Sequence, residues 1–242
     1  MNQVRKYANF LEIAQRKDLL DDLKVVLKVK DNMTQQILLH HLLFPISTLD
    51  DDMDYEQHNL WVISERLTHH YYSGSDKLYN IKNKQNNNLL FNCAFALNDR
   101  PNCKPIETVS IIKFKGPNDF NFDNENNPVD PILSYIETIQ SGKAKSNTGR
   151  PIHVSSETKF FGYAICEVTP QLKQLLSRRI MKVTPDGRGF FGYFDQHRAY
   201  IEVMSYEKII HDAFKRNQIL FDKLQLKTPF SKTYGEADEY VL

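Results

Sequence analysis

The sequence predicts an α/β or α+β domain in which helices flank a mixed β-sheet. Short apolar runs suited to strands, such as residues 108–114 and 160–168, alternate with segments whose apolar residues recur every three or four positions. The chain has 242 residues, of which 41% are apolar, so it can bury a full core as one large domain or two small ones. It contains no repeat with a period of about 20–50 residues, which excludes solenoid architectures.

Residues 1–57 are predicted to form a helical cap on the main fold. Apolar side chains recur at helical spacing in three stretches, and the third, residues 35–44, ends before Pro45, which cannot continue a helix. Docking of a partner is the alternative role of this cap. The acidic run at residues 50–54 is interpreted as a solvated loop, with a divalent-ion site as the less favoured reading.

Residues 58–226 are predicted to form the core and residues 227–242 a C-terminal tail. A helix is expected over residues 59–72, because Leu60, Ile63 and Leu67 share one helical face. The other predicted elements, in chain order, are strands at 89–97 and 108–114, a helix at 129–139, a strand at 160–168, a helix that begins at Pro170 with Thr169 as N-cap, a hairpin of 190–194 and 199–203, and a helix at 206–224. The aromatic residues of the hairpin are interpreted as core.

Composition excludes several functional classes. The net charge of +1 excludes a strongly basic protein that coats nucleic acid, but not a localised basic groove. The three cysteines form no CxxC pair, which favours a reduced, cytoplasmic protein without structural zinc. No run approaches about 18 apolar residues and the N-terminus lacks a signal pattern, so neither membrane insertion nor secretion is expected.

Familiar catalytic motifs are also missing from the sequence. Two pairs of adjacent histidines, at residues 40–41 and 69–70, are poor chelates, because neighbours in a helix point about 100° apart. The sequence has no HExxH, no glycine-rich phosphate loop, no GxSxG and no dinucleotide-binding fingerprint. Hydrolases and nucleotide enzymes built on those motifs are therefore not indicated.

Four segments of the C-terminal half carry a family resemblance. They read FGYAICEVTP at residues 161–170, TPDGRGFFGY at 184–193, AYIEVMSY at 199–206 and RNQILFDKL at 216–224. Together they resemble the C-terminal region of bacterial proteins that join a GHKL (Hsp90-like) ATPase to a nuclease-like domain. Shorter matches upstream, including NLW at 59–61, extend the resemblance over roughly residues 58–226.

What the resemblance implies is a PD-(D/E)xK core with the restriction-endonuclease-like fold, acting in bacterial phage defence or DNA processing. The motifs of the ATPase are absent from this chain, so it is not the ATP-hydrolysing part. The resemblance matches Glu65 to the acid on the helix before the sheet, Asn92 to a metal-binding aspartate, Lys113 to a second metal-binding acid and Lys115 to the catalytic lysine. Where such nucleases carry Glu-x-Lys, this chain reads Lys-Phe-Lys. Asn92 and Lys113 therefore imply a degenerate active site.

These departures disfavour metal-dependent cleavage. Mg²⁺ prefers anionic oxygen ligands, and it activates water and neutralises the charge that develops on phosphate. Asn92 offers only a neutral amide oxygen, and Lys113 repels a cation. At ~4 Å and an effective dielectric of about 20, two unit charges interact by about 4 kcal/mol, and a dication by roughly twice that. The leading hypothesis is a non-catalytic module that needs no cofactor and binds nucleic acid, a protein partner or both, including an ATPase-containing defence component.

A cationic surface is the form that nucleic-acid binding would take. Lys113 and Lys115 share one face of their strand and, with Lys143, Lys145 and Arg150, are predicted to hold the phosphate backbone of DNA or RNA. For each of these cations, a solvated surface position or a structural salt bridge is the alternative.

An active Mg²⁺-dependent DNA or RNA endonuclease is the competing hypothesis. It requires a rearranged set of carboxylates that includes Glu65. The acids that could have moved into the vacated positions are Asp99, Glu107, Asp123 and Glu125. As ordinary turn and loop residues, the same acids would have no catalytic role.

Overall fold

The computed structural model describes residues 3–44, 58–68, 72–75, 93–97, 106–144, 153–179 and 181–226. These residues form a mixed β-sheet of seven strands with helices on both faces, which confirms the predicted α+β class with N-terminal helices. The strands are β1 (Tyr72–Ser75), β2 (Cys93–Leu97), β3 (Thr108–Phe114), β4 (Lys159–Ile165), β5 (Lys182–Val183), β6 (Gly189–Phe194) and β7 (Ala199–Met204). The helices are α1 (Gln3–Val26), α2 (Asn32–Leu43), α3 (Asp130–Gln140), α4 (Pro170–Ser177) and α5 (Tyr206–Lys223).

The strand order β1-β2-β3-β4-β7-β6-β5 places three parallel strands at the centre of the sheet. β3 pairs with β4 and β4 with β7 in parallel, whereas the other neighbours are antiparallel. A parallel pair needs a long crossover connection, and α3 supplies it between β3 and β4. Phe114, Ile165 and Met204 are aligned across the three strands and mark the carboxyl end of the sheet.

Side-chain alternation along the central strands divides the core into two halves. Val109 and Ile111 of β3 pack on the side covered by α3 and α4, called here the α3 face. Ile112 and Phe114 pack on the opposite side, the α5 face, which is covered by α1, α2 and α5. Each functional side chain can therefore be assigned to one face of the sheet from its position along the strand.

The N-terminal cap contains two helices in place of the three predicted stretches. No glycine or proline interrupts residues 3–26, so the first two stretches join into α1. The side chain of Asp31 accepts a hydrogen bond from the amide of Thr34 at 2.8 Å and caps the start of α2. Leu20 and Leu23 of α1 are both fully buried in the core of the α5 face. The acidic run at residues 50–54 lies outside the described residues.

The helix predicted over residues 59–72 is wrong. The chain instead forms two 3-10 turns, Leu60–Val62 and Glu65–Leu67, and then enters β1 at Tyr72. Ser64 separates the turns, because its backbone is extended and its hydroxyl accepts a hydrogen bond from the amide of Arg66. The apolar side chains that favoured a helix are nevertheless buried in the core of the α5 face.

Most other elements agree with the sequence. Thr169 caps α4 as predicted, since its hydroxyl accepts a hydrogen bond from the amide of Leu172 at 3.1 Å. β6 and β7 form the predicted antiparallel hairpin, and α5 follows it. β4 ends at Ile165, three positions before the predicted end, and β5 was not predicted. No helix in the described parts of the chain combines the length and the apolar character needed to cross a membrane.

Gly162 in β4 lies where α3 packs closely on the sheet. A Cβ atom at this position would lie 2.7 Å from Ile132 Cγ2 and 3.0 Å from Ile201 Cγ1. We expect Gly162→Ala to lower the free energy of unfolding by about 1–3 kcal/mol through overpacking, measured by chemical denaturation. Gly116→Ala is the control, because the atom nearest to its Cβ would be Gln36 Oε1 at 3.5 Å. Equal losses in the two variants would contradict the prediction.

Candidate functional site

The structure separates Glu65 from the two lysines that the resemblance assigns to the same site. Lys113 and Lys115 extend from the α3 face, because they alternate with Ile112 and Phe114 of the α5 face. Glu65 lies on the side of the α5 face, where its carboxylate meets Arg16 of α1 at 3.4 Å and Arg216 of α5 at 3.7 Å. Glu65 therefore does not converge with the lysines, and Asn92 lies outside the described residues.

Lys115 is held in place by the loop that follows β3. Its ammonium nitrogen lies 4.0 Å from the ring centroid of Phe122 and donates a hydrogen bond to the carbonyl oxygen of Asn121 at 3.0 Å. It also lies 3.4 Å from a carboxylate oxygen of Asp119, and only 12% of its side chain is exposed. The charge of Lys115 is therefore largely compensated by contacts within the protein. This agrees with the alternative interpretation of this lysine as part of a structural salt bridge.

Lys113 is half-buried at the carboxyl end of β3. It lies opposite Cys93 in β2 and Ala164 in β4. This residue is the one that stands where the resemblance calls for a metal-binding acid.

The predicted cationic groove is not assembled from the described residues. Gln140 at the end of α3 donates a hydrogen bond to the carbonyl oxygen of His197, just before β7 begins, so Lys143 lies near the start of the parallel strands. Lys113 lies at the opposite end, and a strand of seven residues spans about 20 Å. The remaining members of the groove, Lys145 and Arg150, lie outside the described residues.

The acids that could have replaced the missing metal ligands near Lys113 either have structural roles or lie away from this position. Glu107 pairs with Lys159 at 3.2 Å at the start of the parallel strands. Asp123 accepts hydrogen bonds from the amides of Glu125 and Asn126 and closes a turn. Asp99 is outside the described residues. Within the described ranges, no group of three or more His, Cys, Asp or Glu residues could hold a metal ion.

Two carboxylates outside the predicted site, Glu167 and Glu207, lie near each other at the carboxyl end of the parallel strands. Burial, and then the negative charge of Glu207, raise the pKa of Glu167 above its ordinary value. Glu167 is the second residue after β4, and Glu207 is in the first turn of α5. They come together because β4 and β7 are adjacent parallel strands, a pairing that the sequence did not predict.

The α5 face carries an open cleft of about 780 Å³, called here the α5 cleft. Its floor is the sheet, one wall is the second 3-10 turn, and the other wall is one side of α5. The lining residues are Ile63, Ser64, Glu65, Arg66, Tyr163, Thr184, Pro185, Asp186, Phe191, Tyr200, Glu202, Met204, Lys208, Asp212 and Arg216. Glu65 is thus part of a cleft, but of a different one from the site that the resemblance implies.

Lys208 and two aspartates form a compact ion-pair network at one end of the α5 cleft. The ammonium group of Lys208 bonds to Asp186 and, at 2.8 Å, to Asp212. Burial lowers the pKa of Lys208, but these two hydrogen bonds outweigh burial and raise it overall. Burial likewise opposes ionisation of Asp186, but hydrogen bonds from Lys208, Thr184 and a backbone amide hold the pKa of this carboxyl well below its ordinary value. Lys208 and Asp186 are therefore both charged at neutral pH, and Lys208 lies between the two aspartates.

Aromatic side chains and a carboxylate form the floor of the α5 cleft. Glu202 of β7 lies between Tyr163 of β4 and Phe191 of β6 in the register of the sheet. Burial, and then a hydrogen bond to Glu202, raise the pKa of Tyr200. Burial also raises the pKa of Tyr163, which is 3% exposed. Both hydroxyls therefore stay protonated at neutral pH, and that of Tyr200 lies near the carboxylate of Glu202.

Arg66 forms the rim of the same cleft. Its guanidinium carbon lies 4.6 Å from the ring centroid of Phe161, which is an arrangement typical of a cation–π contact. Its charge also acts on the hydroxyls of Tyr163 and Tyr200. Apart from the ion pairs of Lys208 and Arg216, the α5 cleft thus combines flat apolar surface with the cation of Arg66 and the carboxylate of Glu202.

This cleft is not evident from the sequence, because aromatic residues in strands are typical of a buried core. Phe190 is indeed buried, at 2% exposure, but Tyr193 is 50% exposed and Phe191 is half-buried. The alternation AYIEVM in β7 was the available signal, since it places Tyr200 and Glu202 on one face and three apolar residues on the other.

Comparisons of the chain with protein families, with curated proteins and with solved structures found no match.

Proposed function

We propose that this chain is a non-catalytic, nuclease-like module that binds nucleic acid in bacterial phage defence or DNA processing. The observation that carries the proposal is the position of Lys113. It places a positive charge at the carboxyl end of β3, where the resemblance calls for a metal-binding acid. The setting in defence or DNA processing rests on the resemblance alone.

The surroundings of this position favour holding a phosphate over cutting beside it. A cation at the end of the strand repels a divalent metal but attracts a phosphate oxygen. Glu65, the acid that the resemblance retains, is on the other face of the sheet and is engaged by Arg16 and Arg216. A metal that activates water near Lys113 would therefore need ligands other than Glu65.

Reversing the charge of Lys113 tests the binding half of the proposal. We expect Lys113→Glu to weaken binding to single- and double-stranded oligonucleotides by about tenfold at low salt and to reduce the salt dependence of the affinity. Fluorescence anisotropy over a salt series measures both effects. Lys215→Glu is the charge-matched control, because Lys215 is exposed on α5, away from the α3 face.

A cleavage assay tests the non-catalytic half. We expect supercoiled DNA and single-stranded DNA and RNA to stay intact when Mg²⁺ or Mn²⁺ is titrated. Cleavage that both EDTA and Glu65→Ala abolish would establish the active nuclease instead. If no oligonucleotide binds at low salt, nucleic-acid binding is wrong and a protein partner becomes the better explanation.

A further inference from the structure

We propose that the α5 cleft binds a guanine nucleotide, either free or as one residue of a single strand. The site lies on the opposite face of the sheet from Lys113 and does not depend on the function proposed above. Three features carry the inference: an aromatic floor, a carboxylate that only accepts hydrogen bonds, and an arginine without an acidic partner among the described residues.

Tyr163, Phe191 and Tyr200 line the floor of the α5 cleft. Together with Phe161 and Tyr193, which lie beside the cleft on the same face of the sheet, they provide a surface on which a planar base can stack. Tyr200 is paired with Phe161 on one side and with Tyr193 on the other, so three rings form a row across β4, β7 and β6. The ring centroids of Phe161 and Tyr200 are 6.3 Å apart, and those of Phe191 and Tyr200 are 6.4 Å apart. Tyr193 is 50% exposed, and the other three rings are half-buried. Half-exposed rings on a sheet face are the usual platform for unpaired bases.

Glu202 selects the kind of base. Its carboxylate lies near the hydroxyl of Tyr200 and raises the pKa of that group, and no basic side chain of the described residues lies within ion-pair distance of it. An ionised carboxylate has about four lone-pair sites and no donor, so it can still accept further hydrogen bonds. Guanine offers two N–H donors side by side on its Watson–Crick edge. Adenine and cytosine offer one donor beside an acceptor, and uracil has a single donor between two acceptors.

Arg66 supplies the positive charge that a phosphate requires. Among the described residues, the other cations of the cleft already have partners. Lys208 is paired with two aspartates, and Arg216 donates to the carbonyl oxygens of Trp61 and Val62. Arg66 instead rests on the ring of Phe161, and its guanidinium can pair with two phosphate oxygens at once. The cleft volume of about 780 Å³ falls in the usual range for small-molecule sites.

A cationic peptide side chain is the competing ligand for an aromatic site that holds a carboxylate. The positive charge of Arg66 acts on Tyr163 and Tyr200, the same two residues that flank Glu202, so a second cation would be repelled there. The combined charges therefore favour a ligand with an anionic group at one end and N–H donors at the other. A guanine nucleotide has both.

Isothermal titration calorimetry with GMP, AMP, CMP and UMP tests the proposal. We expect GMP to bind at least about tenfold more tightly than AMP or UMP, because one bidentate base contact discriminates by that order. Glu202→Gln should remove this preference, and Arg66→Gln should weaken GMP while leaving the weaker binding of guanosine unchanged. Glu157→Gln and Arg178→Gln are matched controls, since both residues are exposed away from the cleft, and neither should alter GMP binding.

A second comparison distinguishes the free nucleotide from the single strand. An oligo-dT strand with one central guanine that binds more tightly than GMP would indicate the single strand, and the reverse would indicate the free nucleotide. Lys113→Glu should leave GMP binding unchanged, so that failure of the Lys113 proposal and failure of this one are separable. Equal affinity for GMP and UMP, an unchanged preference in Glu202→Gln, or tighter binding of a lysine peptide than of GMP would each overturn the inference. Far-UV circular dichroism verifies that every variant is folded.

Discussion

Replacing Arg216 with alanine is expected to lower the free energy of unfolding by about 2–4 kcal/mol, since charged hydrogen bonds contribute about 1.5–3 kcal/mol each and are not fully additive. The guanidinium of Arg216 donates to the carbonyl oxygens of Trp61 at 2.8 Å and Val62 at 2.9 Å. It also lies 3.7 Å from Glu65. The substitution leaves two carbonyl groups in a largely buried turn without their donor.

Urea denaturation measures this loss, and Trp61 reports on the site directly because it is the single tryptophan of the chain. Lys215→Ala is the matched control, since Lys215 lies next to Arg216 on α5 and its side chain is exposed. We expect this variant to change the free energy of unfolding by no more than about 0.5 kcal/mol. Glu65→Gln should cost no more than about 1 kcal/mol, because nearly half of its side chain, 45%, is exposed. A loss below about 1 kcal/mol for Arg216→Ala would contradict the structural role of this arginine.

The result bears on Glu65 as well as on stability. If Arg216 anchors the 3-10 turns through backbone carbonyls, Glu65 is placed beside it as a partly exposed ion-pair partner. Its position on the α5 face then follows from the path of the turn. This geometry explains why Glu65 lies on the opposite face of the sheet from the lysines of β3.

Five of the seven described strands, β2, β3, β4, β6 and β7, and the later helices could be predicted from the sequence because their signals are local. Residues 108–114 form β3 with the predicted bounds, and Lys113 and Lys115 do share a face, because the side-chain period of a strand is two. Thr169 caps α4 because a hydroxyl before Pro170 suits the first turn of a helix. Neither feature requires knowledge of distant residues.

The 3-10 turns could not be predicted in the same way. The spacing of Leu60, Ile63 and Leu67 fits one face of a helix, and these residues are indeed buried together. The backbone conformation is instead determined by a tertiary contact, since the donor to the carbonyl oxygen of Trp61 is Arg216, 155 positions away in the chain. The helical pattern therefore predicted which residues are buried and failed on the conformation that buries them.

The candidate sites show the same limit. The family pattern grouped Glu65 with Lys113, but face assignment depends on how the turn before the sheet is anchored. The α5 cleft is built from neighbours in space that come from β4, β6 and β7. In sequence, their aromatic residues could not be distinguished from core, and only the polar position of Glu202 within β7 indicated an open face.

The second large effect is expected at Phe122, in the loop between β3 and α3. Phe122 is 1% exposed in the core of the α3 face, and its carbonyl oxygen accepts a hydrogen bond from the side chain of Gln171 at 2.5 Å. We expect Phe122→Ala to lower the free energy of unfolding by about 3–5 kcal/mol, the usual cost of removing a buried aromatic ring. Phe120→Ala is the matched control two positions away, since Phe120 is 51% exposed and its loss should cost less than about 0.5 kcal/mol.

A double-mutant cycle extends this prediction to Lys115, whose ammonium nitrogen lies 4.0 Å from the ring centroid of Phe122. We expect Lys115→Met and Phe122→Ala to be coupled by about 0.5–2 kcal/mol, the range of partly buried cation–π pairs. Coupling of that size would mean that Lys115 stabilises the loop and contributes little charge to a bound phosphate. If the losses in the free energy of unfolding are additive, Lys115 would again be a candidate, with Lys113, for contact with a phosphate. The cycle thus decides, without any ligand, whether Lys115 is part of the scaffold of this loop.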